Sequence, residues 1–181
     1  KVVGMAGILD SSRFIYFLSQ ELKVSVNKIK SFVLGGHGDS MVAMLGATVV
    51  EGKKITDLVN EGKISKDKLD QIIDRTKKGG AEIVKLLEKG SAFYAPAASG
   101  VEMAECYLKD LKKQLPCAVY LDGEYGTKDI YAGVPVIIGS KGVEKVIELD
   151  LSAEEKDNFD NSIKAVKELF DAAKKIDPEL K

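Results

Sequence analysis

The segment Gly35-Gly36-His37-Gly38-Asp39-Ser40 holds the one histidine among 181 residues. Imidazole is the side chain best suited to trading a proton near neutral pH, so any imidazole chemistry in this chain belongs to His37. Upstream, Asp10-Ser11-Ser12-Arg13 sets a carboxylate and a guanidinium three residues apart, on one face if the segment is helical. A carboxylate beside an imidazole fixes its tautomer and favours its charged form. A guanidinium grips a substrate carboxylate with two parallel hydrogen bonds. Together, Asp10, Arg13 and His37 suit proton transfer to or from the hydroxyl or carbonyl of a small carboxylic acid. Taken separately they admit plainer readings: an ordinary loop histidine, a helix-capping Asp10 and a solvated Arg13 in a weak ion pair. Gly38-Asp39-Ser40 also has the look of a nucleophilic serine. However, His37, Asp39 and Ser40 lie too close in sequence for a triad, which draws its members from separated segments.

These groups need elements to hold them. Lys1-Val2-Val3-Gly4 reads as a short strand leading into a turn, with no polar leader, so preceding chain is expected. A helix is predicted over residues 11–23, with Phe14, Ile15, Leu18 and Leu22 as its apolar stripe and Asp10 as its cap. A strand over 29–34 would deliver His37 at its end, and a second is predicted over 41–50. Gly52-Lys53-Lys54 reads as a turn and 56–59 as a short helical turn. Ser65 opens a long helical pattern carrying Leu69, Ile72, Ile73, Ile83, Val84 and Leu87. Gly79-Gly80 interrupts it at about 1 kcal/mol each relative to alanine, which implies a kink or close packing against another backbone. A third helix starts at Tyr94-Ala95-Pro96 and runs through Leu111. The period then changes. Residues 117–121, 134–138 and 143–149 read as an antiparallel meander turning at Asp122-Gly123 and at 139–142. Ser152 and Glu155 form a capping box ahead of a last amphipathic helix with Phe159, Ile163, Val166 and Phe170 inside. The class is α+β, with long helices on an antiparallel sheet, as a single domain over 1–181.

Composition narrows the function. At 45% apolar and 30% charged, with net charge −1, the chain has no basic field for nucleic acid. No apolar run approaches the roughly 18–20 residues that span a bilayer. Cys106 and Cys117 make neither a disulfide framework nor metal spacing, so no metal is expected and a reducing, cytoplasmic home is favoured. There is no G-x-G-x-x-G and no P-loop, hence no nucleotide-phosphate cradle in the sequence.

The motifs in their order resemble the C-terminal substrate-binding domain of the lactate/malate dehydrogenase family. The segment from Val2 through Asp10-Ser11-Ser12-Arg13-Phe14 is similar to that domain's opening. Gly36-His37-Gly38-Asp39-Ser40-Met41-Val42 is similar to its active-site histidine loop. The likeness continues through Gly79-Gly80-Ala81-Glu82-Ile83-Val84, through 90–98 and through 133–139, covering essentially the whole chain. It implies that His37 is the proton donor and acceptor, that Asp10 pairs with it, and that Arg13 binds the substrate carboxylate. Ser91, Ala92 and Pro96 match pocket-lining positions more loosely, since small residues there also suit a helix start. The wording is nearer the malate dehydrogenases related to lactate dehydrogenases, with lactate dehydrogenase as the alternative. The resemblance further implies NAD as cofactor, a place in the tricarboxylic acid cycle, a homo-oligomer (dimer or tetramer), and a Rossmann half preceding Lys1 without which the chain is inactive. Ala43, where proline is usual, and Leu45-Gly46-Ala47, where arginine and a hydroxyl or aromatic residue are usual, depart from the pattern. They bear on loop shape or subunit contacts rather than on the trio. A different class, a non-catalytic oligomerising module, stays open on the expectation of an uncovered apolar face.

Overall fold

The computed structural model describes residues 2–177 and 179–180; Lys1, part of the expected opening strand, lies outside them. The chain enters through Gly4, which pairs antiparallel with Ala118 by two 2.8 Å backbone hydrogen bonds. It turns directly into helix α1, Ala6–Leu22. The helix therefore starts a full turn before the predicted Ser11. Met5 occupies the cap position, so Asp10 is not a cap. The misreading has a physical cause. Asp10-Ser11-Ser12 carries the residue types of a helix start, yet Asp10 and Ser11 are buried inside the helix in line with Ile8, Phe14 and Leu18.

Both predicted strands of the His37 region are split. Residues 29–34 become β1, Ile29–Lys30, and β2, Val33–Gly35. Residues 41–50 become β3, Met41–Ala43, and β4, Val49–Val50. β1 joins a small sheet of order β1-β4-β5, whereas β2 and β3 join the large one. The chain changes sheet at Ser31-Phe32 and again between Met44 and Thr48, where buried hydroxyls stand in for ladder bonds. The Ser31 and Thr48 side chains share a 2.7 Å bond, and Thr48 donates to the Met44 carbonyl at 2.6 Å. Lys53–Lys54 forms strand β5 rather than a turn, and α2, Ile55–Asn60, follows.

The long helical pattern divides at Lys78 into α3, Lys66–Lys77, and α4, Gly79–Leu87. Ser65 caps α3 by accepting from the Lys68 amide. Helix α5, Tyr94–Leu108, ends before Leu111, whose amide folds back onto the Cys106 carbonyl. The meander is present as β6, Lys113–Asp122, β7, Lys128–Gly139, and β8, Gly142–Val146. β8 is shorter than expected. Tyr125 takes over beyond it, its hydroxyl donating to the Ile147 carbonyl and accepting from the Leu149 amide. Helix α6, Ala153–Ile176, starts at the Ser152–Glu155 capping box.

The architecture is α+β, with helices packed on antiparallel sheets. The large sheet runs β3-β2-β7-β6, with β8 also on β7. Two apolar clusters form. One lies under the meander and α6, around Val134, Val136 and Phe159. The other lies between α1, α3 and the small sheet, around Phe14, Leu18 and Ile55. Helix α1 supplies Ile8 to the first, and Phe14 and Leu18 to the second. Fully burying a Phe or Leu contributes about 1.5–3 kcal/mol, so α1 is pinned from both sides. Among the described residues no helix is long and apolar enough to cross a membrane.

Candidate active site

Helix α1 brings Asp10 and Arg13 onto one face, and the β2–β3 hairpin carries His37 toward them. The hairpin's position is set on the α1 side by Ser11, whose hydroxyl accepts from the Val33 amide at 2.9 Å. On the sheet side, Gly35 pairs with Gly133 of β7. Gly35 takes φ +84°, a left-handed conformation that L side chains rarely adopt, and turns the chain out of β2 toward His37.

The three residues expected to act together are brought together. His37 Nδ1 lies 2.7 Å from Asp10 Oδ2. A carboxylate can only accept, so the Nδ1 proton faces Asp10 and Nε2 is left as the working nitrogen. Asp10 is 1% exposed, whereas the His37 side chain is 52% exposed. The buried partner thus orients an accessible ring. The Gly38 amide also points at Asp10 Oδ2, at a long 3.4 Å. Arg13 Nη1 stands 3.6 Å from Asp10 Oδ1, close enough for charge but too far for a hydrogen bond. Asp10 Oδ1 consequently has no hydrogen-bond partner. The His37 pKa is raised above its usual 6.5. The hydrogen bond that His37 donates to Asp10 is the main cause, opposed by partial burial, helped by the Asp10 charge and opposed again by Arg13.

Arg13 is 11% exposed, and its stem lies on the start of α4. A Cβ on Gly79 would sit 3.0 Å from Arg13 Cδ and 3.3 Å from Nε. Of the two expectations for the glycine pair, the interruption is present at Lys78, whereas the close neighbour is the Arg13 side chain rather than a second backbone. The sequence reading missed both this seat and the Ser11 strut. Glycines inside a helical pattern were the one available signal for the seat. Nothing local marks Ser11 as the partner of a residue twenty-two positions away.

The other candidates lie apart. Ser91 is exposed, Ala92 and Pro96 are half-buried, and all three sit at or just before the start of α5. Among the described residues none of them is hydrogen-bonded to the trio. Ser40 is not bonded to His37 either, and the histidine's carboxylate partner is Asp10 rather than Asp39. In the departing segment, the Gly46 amide donates to the Glu155 carboxylate at 2.8 Å, fixing the 44–48 turn to the start of α6. Ala43 lies in β3 opposite Val33. Among the described residues no group of acidic, histidine and cysteine side chains could hold a metal ion.

A buried carboxylate oriented on an accessible imidazole, with a guanidinium alongside, is equipped to hold a small carboxylic acid and move one proton. Comparison with known proteins places the chain in a family. The family described as lactate/malate dehydrogenase, alpha/beta C-terminal domain, matches residues 8–176. A malate dehydrogenase of Pelagibacter ubique (strain HTCC1062) is 66% identical over 180 residues, which is 99% of this chain and 56% of that protein. The crystal structure of Cryptosporidium parvum malate dehydrogenase superposes with a TM-score of 0.90 at 45% identity, over 93% of this chain and 54% of that one. The lactate dehydrogenase of Eimeria maxima, crystallised with NADH and oxamate, gives 0.93 at 42% identity, over 98% and 55%. The chain thus spans somewhat more than half the length of these relatives. On the residues matched and the fold shared, this chain belongs to the lactate/malate dehydrogenase family, as its alpha/beta C-terminal domain.

Proposed function

We propose that residues 1–181 are the catalytic and substrate-binding domain of an NAD-dependent malate dehydrogenase, interconverting malate and oxaloacetate in the cytoplasm. The observation that carries this reading is the 2.7 Å pair of His37 with buried Asp10 beside Arg13. The 66% identity to a malate dehydrogenase favours the malate reaction over the lactate one. In the oxidative direction neutral His37 accepts the proton of the substrate's C2 hydroxyl at Nε2. Asp10 stabilises the imidazolium that forms, through the Nδ1 hydrogen bond. In the reductive direction charged His37 returns that proton to the carbonyl oxygen. Arg13 fixes the substrate's carboxylate and so holds the reacting carbon opposite the imidazole.

The reading implies a nicotinamide cofactor as hydride acceptor. Among the described residues the space beside His37 is too small for a dinucleotide. The hollow beside His37, walled by Ala6, Gly7, Gly36 and Gly133, measures about 190 Å³. Small-molecule sites are roughly 300–1,000 Å³. Among the described residues the paired strands are antiparallel, with no parallel strand feeding a helix N-terminus for a pyrophosphate. NAD would therefore be held mainly by a Rossmann half outside residues 1–181, in a protein that is a dimer or tetramer.

The test is NADH oxidation with oxaloacetate and with pyruvate, on this chain alone and on the chain joined to a matching Rossmann half. Activity with oxaloacetate only in the joined protein, lost in His37→Asn, is the expected result. Activity of the isolated chain, or preference for pyruvate, would overturn the corresponding part.

A further inference from the structure

His37 is gripped from a third direction. Ser162, in the third turn of α6, is 4% exposed and reaches across 126 residues of sequence to the histidine loop. Its hydroxyl oxygen accepts from the Gly36 amide at 2.8 Å. Its proton goes to the Ser40 carbonyl at 2.5 Å. One hydroxyl thereby uses its donor and an acceptor lone pair on the two flanks of the same five-residue loop, with His37 between them. The fit leaves no slack: a Cβ on Gly35 would overlap the Ser162 side chain. Helix α6 is itself held at its start, because the Glu155 carboxylate accepts from the Gly46 amide and from Ser152.

We propose that Ser162 is a positioning residue for His37, its hydroxyl clamping residues 36 and 40 so that the imidazole stands in register with Asp10 and Arg13. This rests on the malate dehydrogenase reading for its catalytic consequence, but not for its structural one. Without the clamp, the loop keeps its strand ends at Gly35 and Met41, the His37–Asp10 bond and the long 3.4 Å contact of the Gly38 amide with Asp10, but loses the tie that joins residues 36 and 40 to α6. The loop then has room to drift, and displacement of about 1 Å at a reacting group costs up to about a hundredfold in rate.

Two measurements test this without reference to each other. The first uses the chain as it stands, where the single histidine gives one imidazole signal by NMR. The Gly36 amide is expected to exchange with solvent as slowly as the ladder amides of β2, and exchange at the rate of an open loop would overturn the clamp outright. In Ser162→Ala the His37 pKa is expected to fall toward 6.5 as its bond to Asp10 loosens. Asp10, Arg13 and Asp39 are the charged groups nearby, and none of them is altered. A variant that melts earlier yet keeps the His37 titration of the parent would show a merely structural serine. The second measurement uses the complete enzyme with its cofactor-binding half. Ser162→Ala is expected to lower kcat about tenfold or more with little change in KM for oxaloacetate, and Ser162→Thr, which keeps the hydroxyl, to recover part of it. An unchanged kcat in folded Ser162→Ala would refute the proposal. A parent enzyme inactive on every 2-oxo acid would refute the malate dehydrogenase reading instead, leaving the clamp to be judged by exchange and titration.

Discussion

At the scale of the residue, the site divides its work by exposure. Asp10 is buried against His37 and Arg13, and His37 is exposed so that a ligand can reach it. Replacing Asp10 with Asn removes the interaction that raises the histidine. Partial burial and the Arg13 charge remain, and both lower it. Asp10→Asn is therefore expected to drop the His37 pKa below 6.5, read directly from the lone imidazole signal. In the complete enzyme, loss of a positioned acid–base group lowers rate by roughly 10²–10⁴-fold, and His37→Asn is expected to fall in that range in kcat/KM. The sign of the pH dependence follows from the raised pKa. On the proposed reaction, malate oxidation needs neutral His37, so its rate should rise through a folded pKa above 6.5. Oxaloacetate reduction needs the charged form and should fall over the same range. The pair's contribution to stability is full below 6.5 and is lost as pH rises through that folded value. All three residue types were legible in the sequence, because proton transfer and carboxylate binding draw on so few side chains. Their meeting was not legible from the residues alone: His37 and Asp10 are twenty-seven positions apart, and only the likeness to a family joined them in advance.

At the scale of the element, the long helices and the β6–β8 meander are legible where periodicity is sustained over many residues. The sequence reading misjudged α1 and the two strands around His37. Those elements are short or carry polar residues inward, so the bonds that shape them come from elsewhere in the chain. Ser11, Ser31, Thr48 and Glu155 each replace a local signal with a distant partner. The seat of Arg13 belongs to this scale. In Gly79→Ala the added carbon pushes against the arginine stem. KM for the 2-oxo acid should rise several-fold, and melting temperature should change little, because alanine's better helix propensity, about 1 kcal/mol, offsets the crowding. The anchor of α6 is also testable. Burial raises the Glu155 pKa, but the hydrogen bonds from Gly46, Ser152 and Leu45 outweigh it, leaving the carboxyl below its usual 4.5. Its stabilisation is thus full above pH 4.5 and is lost as pH falls through the folded value. Ser152→Ala removes half of the capping box and should cost about 1 kcal/mol in denaturant melts at neutral pH.

At the scale of the whole molecule, α4 and α5 leave Leu86, Phe93, Tyr94 and Leu108 between 56% and 81% exposed. Phe93 and Tyr94 stack with ring centroids 4.6 Å apart, and exposed apolar surface that is contiguous marks a contact site. The isolated chain is expected to gain mass with concentration in sedimentation, and a mass that stays constant over the same range would count against such a contact. Helix α1 has a different reach. It lends side chains to both apolar clusters, and between those side chains it carries the two charged groups of the candidate site. The molecule accordingly has no half that can melt while the site survives. A ligand engaging Arg13 and His37 draws its binding energy from a seam, and by mass action it raises the stability of both cores together. Thermal scans with a saturating dicarboxylate should then show one transition displaced upward rather than two transitions drawn apart.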